Sequence, residues 1–148
     1  MTIQIDYDRK AKEYQWIDPE SGEIFTAPSG AKNKAQLWQT AVALFDPDLY
    51  AAAERIITKH PQLERVTWRA VELVINEAVE VYATPQGNVK AMVQSSDAYG
   101  RYAITNDNGY VSCQCQHFQN DAPMTSSGRQ YCKHILAMHL WKVAKAPY

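Results

Sequence analysis

Three thiols and one imidazole stand in two tight pairs near the end of this 148-residue chain: Cys113-Gln114-Cys115, then sixteen residues, then Cys132-Lys133-His134. Thiolate sulfur and imidazole nitrogen are ligands that a structural Zn²⁺ takes in a tetrahedron, at about 2.3 Å to sulfur and about 2.0–2.1 Å to nitrogen. Alternate residues of an extended strand point the same way, so Cys113 and Cys115 can reach one ion from a strand end. Residues two apart on a regular helix diverge by about 200°. Cys132 therefore has to sit at or just before a helix start, with His134 in the first turn. A helix N-terminus at that point also favours thiolate charge. The spacing thus predicts one structural Zn²⁺ on Cys113, Cys115, Cys132 and His134. Three cysteines cannot all pair in disulfides within one chain. Free thiols point to a reducing, intracellular and cytoplasmic setting.

The same residues argue against catalysis. A cysteine nucleophile needs an oriented base, and no second motif supplies one. A catalytic zinc keeps an open coordination position, whereas three cysteines and a histidine close the shell. Neither a P-loop pattern nor HExxH is present. Glu72, Asn76 and Glu80 fall on one face of a helical reading, but Arg65 and Arg69 interleave with them as on a solvated face. No enzymatic activity is expected.

The run Val111-Ser112-Cys113-Gln114-Cys115-Gln116-His117-Phe118, followed by Tyr131-Cys132-Lys133-His134-Ile135-Leu136-Ala137, resembles the SWIM zinc finger, whose core pattern is C-x-C, a variable gap, then C-x-H. Val93 to Ser96 and Tyr102 to Ile104 look like the strand pair that precedes the finger in that family, so the resemblance covers about residues 88–145. Family members often carry Pro and an acidic residue after the second cysteine, where this chain has Gln116-His117, while Phe118 is retained. SWIM fingers occur in Mutator-type transposases, bacterial Swi/Snf-type ATPases, recombination accessory proteins and ubiquitin-pathway proteins. The resemblance implies a non-enzymatic module that binds DNA or protein.

Charge distribution bears on the partner. The whole chain is near neutral, with 15 Lys and Arg against 16 Asp and Glu, which excludes a uniformly basic nucleic-acid coat. Residues 1–87 nevertheless hold nine basic and thirteen acidic side chains, whereas residues 88–148 hold six basic and three acidic. The basic set of the second part is Lys90, Arg101, Arg129, Lys133, Lys142 and Lys145. Phosphates need only positive charge at suitable spacing, and Tyr99, Tyr102 or Tyr110 offers a ring to an unpaired base. DNA, single- or double-stranded, is thus one expected partner. The alternative is a larger protein, with this chain as an accessory subunit of a recombination, transposition or repair complex. No apolar run approaches the ~20 residues of a membrane span. Nor does the N-terminus show a basic region followed by an apolar block, so neither a membrane partner nor a secretory signal is expected.

The elements that would position these groups can be read from periodicity. Ile3, Ile5 and Tyr7 alternate with polar residues, and Tyr14, Trp16 and Ile24 to Thr26 flank the turn signal Asp18-Pro19-Glu20-Ser21-Gly22, predicting a β-hairpin. Three helices follow. The first carries Leu37, Trp38, Ala41, Leu44 and Phe45 behind an Asn33 cap, and the second starts at Asp46-Pro47. The third runs from about Gln62 to Tyr82. From Val89 the period becomes two, Asn106-Asp107-Asn108-Gly109 marks a hairpin turn, and a final helix spans about Cys132 to Ala144. The expected fold is α+β: an N-terminal hairpin, a three-helix segment (together residues 1–87), then a β-meander with a zinc knuckle and a last helix (residues 88–148).

Overall fold

The computed structural model describes residues 4–10, 12–17, 22, 24–26, 34–94, 100–120, 123–125 and 128–145. The described residues are α+β, with five α-helices and an antiparallel four-stranded sheet. Strands β1 (Gln4–Asp8), β2 (Glu13–Ile17) and β3 (Ile24–Thr26) form a separate small antiparallel sheet, one strand more than the expected hairpin. The Asn33 cap and most of the Asp18–Gly22 turn lie outside the described residues.

Helix α1 spans Lys34–Phe45 and α2 spans Pro47–Lys59. Asp46 separates them as the N-cap of α2, its carboxylate accepting the Leu49 N–H at 3.2 Å, and Pro47 opens the helix where no N–H is needed. A 3₁₀ turn, Pro61–Leu63, leads into α3 (Glu64–Ile75). Aromatic rings tie the three together: Trp68 meets Trp38 edge-on at 6.2 Å and Tyr50 at 5.6 Å. Leu49, with Ala52, Ala53, Val71 and Val74, lies in the core.

The third helix is shorter than periodicity predicted. It ends at Ile75, and Val79 to Gln86 form strand β4. The stop is a Schellman arrangement: the Glu77 N–H donates to Val74 O at 3.1 Å and the Ala78 N–H to Leu73 O at 3.0 Å, with Glu77 at φ 57°. Glycine usually holds that left-handed position, and its absence hid the boundary. Glu72 and Glu80 consequently lie on different elements and do not share a helix face. The β4–β5 turn at Gly87-Asn88 coincides with the expected division at 87/88, so the sheet takes strands from both sides of it.

Strands β4, β5 (Val89–Gln94), β6 (Arg101–Asp107) and β7 (Tyr110–Cys113) follow one another in a meander. Asn108 (φ 52°) and Gly109 (φ 91°) make the left-handed pair that a tight β6–β7 hairpin requires, and the Gly109 N–H is held by Asn106 Oδ1 at 2.8 Å. Cross-strand pairing puts Val81, Ala91, Ile104 and Cys113 in one row. Ala91, Ile104 and Cys113 of that row are buried. A short helix, α4 (Gln116–Asn120), follows β7, and α5 (Lys133–Ala144) closes the chain.

Helix α5 explains why one core serves both halves. It packs against α2 and α3 and against all four strands β4 to β7. Its residues His134 to Met138 and Leu140 are buried consecutively, as in a helix enclosed on nearly every side. No helix among the described residues is long and apolar enough to cross a membrane.

Candidate metal centre

The sheet row that ends in Cys113 faces the start of α5, and this brings the two ligand pairs together. Cys113 is the last residue of β7 and Cys132 the N-cap of α5, in extended conformation (φ −97°, ψ 171°), with His134 in the first turn. That is the placement the helix geometry demanded. Cys115 differs from expectation. It lies beyond the strand, in the bend before α4, so the chain turns it towards Cys113 through a knuckle instead of through strand alternation. Amide groups support the sulfurs: the Cys115 N–H donates to Cys113 Sγ at 3.4 Å and the Phe118 N–H to Cys115 Sγ at 3.3 Å.

All four ligand atoms lie within 4.8 Å of one another, and all four residues are buried. His134 Nδ1 stands 3.8 Å from Cys113 Sγ and 3.9 Å from Cys132 Sγ. A zinc tetrahedron with ordinary bond lengths has sulfur–nitrogen edges near ~3.6 Å and sulfur–sulfur edges near ~3.8 Å, so these two sulfur–nitrogen edges need only a few tenths of an ångström of contraction and no edge of the shell needs more than about 1 Å. Cys113, Cys115, Cys132 and His134 thus form a site fit for a single structural metal, and the donor set of three thiols and one imidazole suits zinc.

The protonation pattern shows what a cation would change. Hydrogen bonds from the Cys113 and Cys132 thiols hold Cys115 well below the usual thiol range, against the effect of burial. The bond to Cys115 pushes Cys113 well above that range, and Cys132 and burial add to it. Cys132 is drawn down by Cys113 but raised more by Cys115 and by burial, to about 11. A bound divalent ion supplies the positive charge that lets all three sulfurs ionise, and its uptake releases protons.

The imidazole is set by packing. The Tyr102 ring lies 4.8 Å from that of His134, centroid to centroid, while Nε2 is buried with no hydrogen-bond partner among the described residues. A ligating histidine usually donates its second N–H to a carboxylate or carbonyl. Here the Tyr102 ring packs against the imidazole, tilted at 52°. Tyr102, weighed above as a base-stacking residue, is occupied in this way. Trp141 lies on the same helix as His134, seven residues further on. Seven residues advance the helix by about 10.5 Å, and Trp141 lines a cavity with Phe45, Val74 and Val79. His117 is exposed on α4 and outside the ligand cluster.

The basic residues differ in exposure and in pairing. Arg101 pairs with Glu80 at 3.6 Å on the exposed sheet, and Lys145 pairs with Asp46. Lys90 and Lys133 are half-buried. Arg129 and Lys142 are exposed and have no carboxylate partner among the described residues. Both charges bear on His139 and, after burial, depress its pKa. Tyr99 is outside the described residues. Sequence reasoning did not single out Tyr131 or His139, whose rings meet edge-on at 6.1 Å beside Arg129. No periodicity marks them, since the chain reversal that brings residues 128–131 to β7 is a tertiary feature. Comparison with protein-family models, with curated proteins and with solved structures finds no match.

Proposed function

We propose that this protein is a non-enzymatic, zinc-stabilised DNA-binding module. The observation that carries the reading is the convergence of three buried cysteines and one buried histidine between β7 and α5, in the C-x-C, C-x-H order that resembles SWIM fingers. A closed shell of this kind contributes folding energy and shapes a surface without doing chemistry. Arg129 and Lys142 supply exposed positive charge that acts on His139, on the same helix as His134. A second reading, an accessory subunit docked on a larger protein, draws on Leu44 (64% exposed) and Val143 (54% exposed). These sit near the C-terminal ends of α1 and α5, which the Asp46–Lys145 pair links.

Metal analysis and oligonucleotide binding test the reading together. Purified protein should hold about one zinc per chain. The zinc-loaded protein should bind DNA at low salt, with affinity falling linearly on a log–log plot as salt rises. Zinc-loaded protein that binds neither single-stranded nor duplex DNA at low salt refutes the DNA reading in favour of a protein partner.

A further inference from the structure

A groove of about 300 Å³ is lined by Gly109, Tyr110 and Val111 from the β6–β7 hairpin and by Arg129, Tyr131 and His139 from the segment before α5 and α5 itself. Backbone hydrogen bonds hold the segments that lead into the groove. The β6–β7 turn is closed by Gly109 N–H on Asn106 Oδ1. Opposite, the Thr125 N–H donates to Arg129 O at 2.9 Å, the Gly128 N–H to Thr125 O at 2.9 Å, and the Tyr131 N–H to Pro123 O at 3.0 Å. Each wall also runs straight into the metal site. Val111 is two residues before Cys113 and Tyr131 immediately before Cys132.

The groove's chemistry is specific. Tyr110 is 62% exposed, an uncommon exposure for a large ring on a strand that leads into the core. Tyr131 is held edge-on against His139. Arg129 is exposed at the rim, and Lys142 lies close enough to act on the same histidine. Flat aromatic surface beside a guanidinium suits a planar ring carrying an anion, because every base has a face to stack and every nucleotide a phosphate to pair.

We propose that this groove takes one unpaired nucleotide of a DNA strand, with its base against Tyr110 and Tyr131 and its phosphate at Arg129. The proposal rests on the DNA-binding reading above and adds a preference for single strands, since a paired base cannot present its face to a tyrosine. The test measures fluorescence anisotropy of a labelled oligothymidylate and of a duplex of equal length, titrated with zinc-loaded full-length chain. Wild type, Tyr110→Ala, Tyr110→Phe and Arg129→Ala are compared. Tyr110→Ala should weaken single-strand binding about tenfold and leave duplex binding unchanged, and Tyr110→Phe should retain the wild-type affinity. Arg129→Ala should weaken both and lower the salt slope by roughly 0.7 to 0.9. An unchanged single-strand affinity for Tyr110→Ala, or an equal loss on both DNAs, overturns the groove assignment while leaving DNA binding intact. Failure of the wild type to bind either DNA overturns both.

Discussion

Removing Cys132 is the most informative perturbation of the metal centre. The residue is fully buried, caps α5, and with His134 forms the half of the shell that belongs to the helix. In Cys132→Ala, a single imidazole remains to tie α5 to the knuckle. Structural zinc sites bind with roughly 10–16 kcal/mol, so one ligand of four is worth about 3 kcal/mol, a loss of affinity of about a hundredfold or more. Thermal denaturation in zinc and in chelator converts this into a measurable difference. At a free zinc concentration a thousandfold above the wild-type Kd, binding stabilises the fold by about 4.1 kcal/mol. For a chain of this size that corresponds to a rise in Tm of about 8–16 °C over the chelated state. With a Kd about a hundredfold weaker, the same zinc concentration yields about 1.4 kcal/mol, or about 3–6 °C. The difference between zinc and chelator within each variant is the relevant quantity, because it cancels the small packing loss of the cysteine side chain. A wild-type Tm unchanged by chelation, or an undiminished zinc-dependent rise in Cys132→Ala, would refute a four-ligand metal site.

Two further outcomes follow from other parts of the fold. Burial, together with Lys142 and Arg129, holds His139 below its ordinary pKa of 6.5. The unfolded chain therefore binds that proton more readily, and the stability contribution is fully present above about pH 6.5 and is lost as pH falls through the lower folded value. In chelator, where metal release plays no part, the fall in Tm on acidification below pH 6.5 should be shallower in His139→Gln; an identical slope refutes the assignment. Asp46 both caps α2 and pairs with Lys145 across to the end of α5. Asp46→Ala should cost about 1–2 kcal/mol by chemical denaturation, and Lys145→Ala, which leaves the cap in place, less than about 1 kcal/mol. Equal losses would show that the ion pair, and not the cap, supports this junction.

Some of this architecture is legible in the sequence for local reasons. The ligand spacing confined Cys132 to a helix cap and His134 to the first turn, because no other helical geometry lets residues two apart converge. Asp46-Pro47 and Asn108-Gly109 mark a helix start and a hairpin turn through backbone chemistry that acts within four residues. The end of α3 was not legible, since Val79 and Val81 satisfy a strand period while Ala78 and Val81 satisfy a helical one. Only hydrogen bonding to β5, with a left-handed Glu77 in place of a glycine, resolves the choice.

The residue types and their order, by themselves, determined that these four side chains are chemically able to share one cation. Tertiary structure alone decided that they meet. The Val81–Ala91–Ile104–Cys113 row has to face α5, and α5 has to be buried against α2 and α3 on its other side. It also placed Tyr102 against His134, set Trp141 along a cavity with Phe45, Val74 and Val79, joined Tyr131 and His139 beside Arg129, and neutralised Arg101 and Lys145 with acids distant in sequence. The physical reason is that caps and turns are fixed by bonds to near neighbours, whereas the side that a buried helix or sheet row presents depends on every surface packed against it.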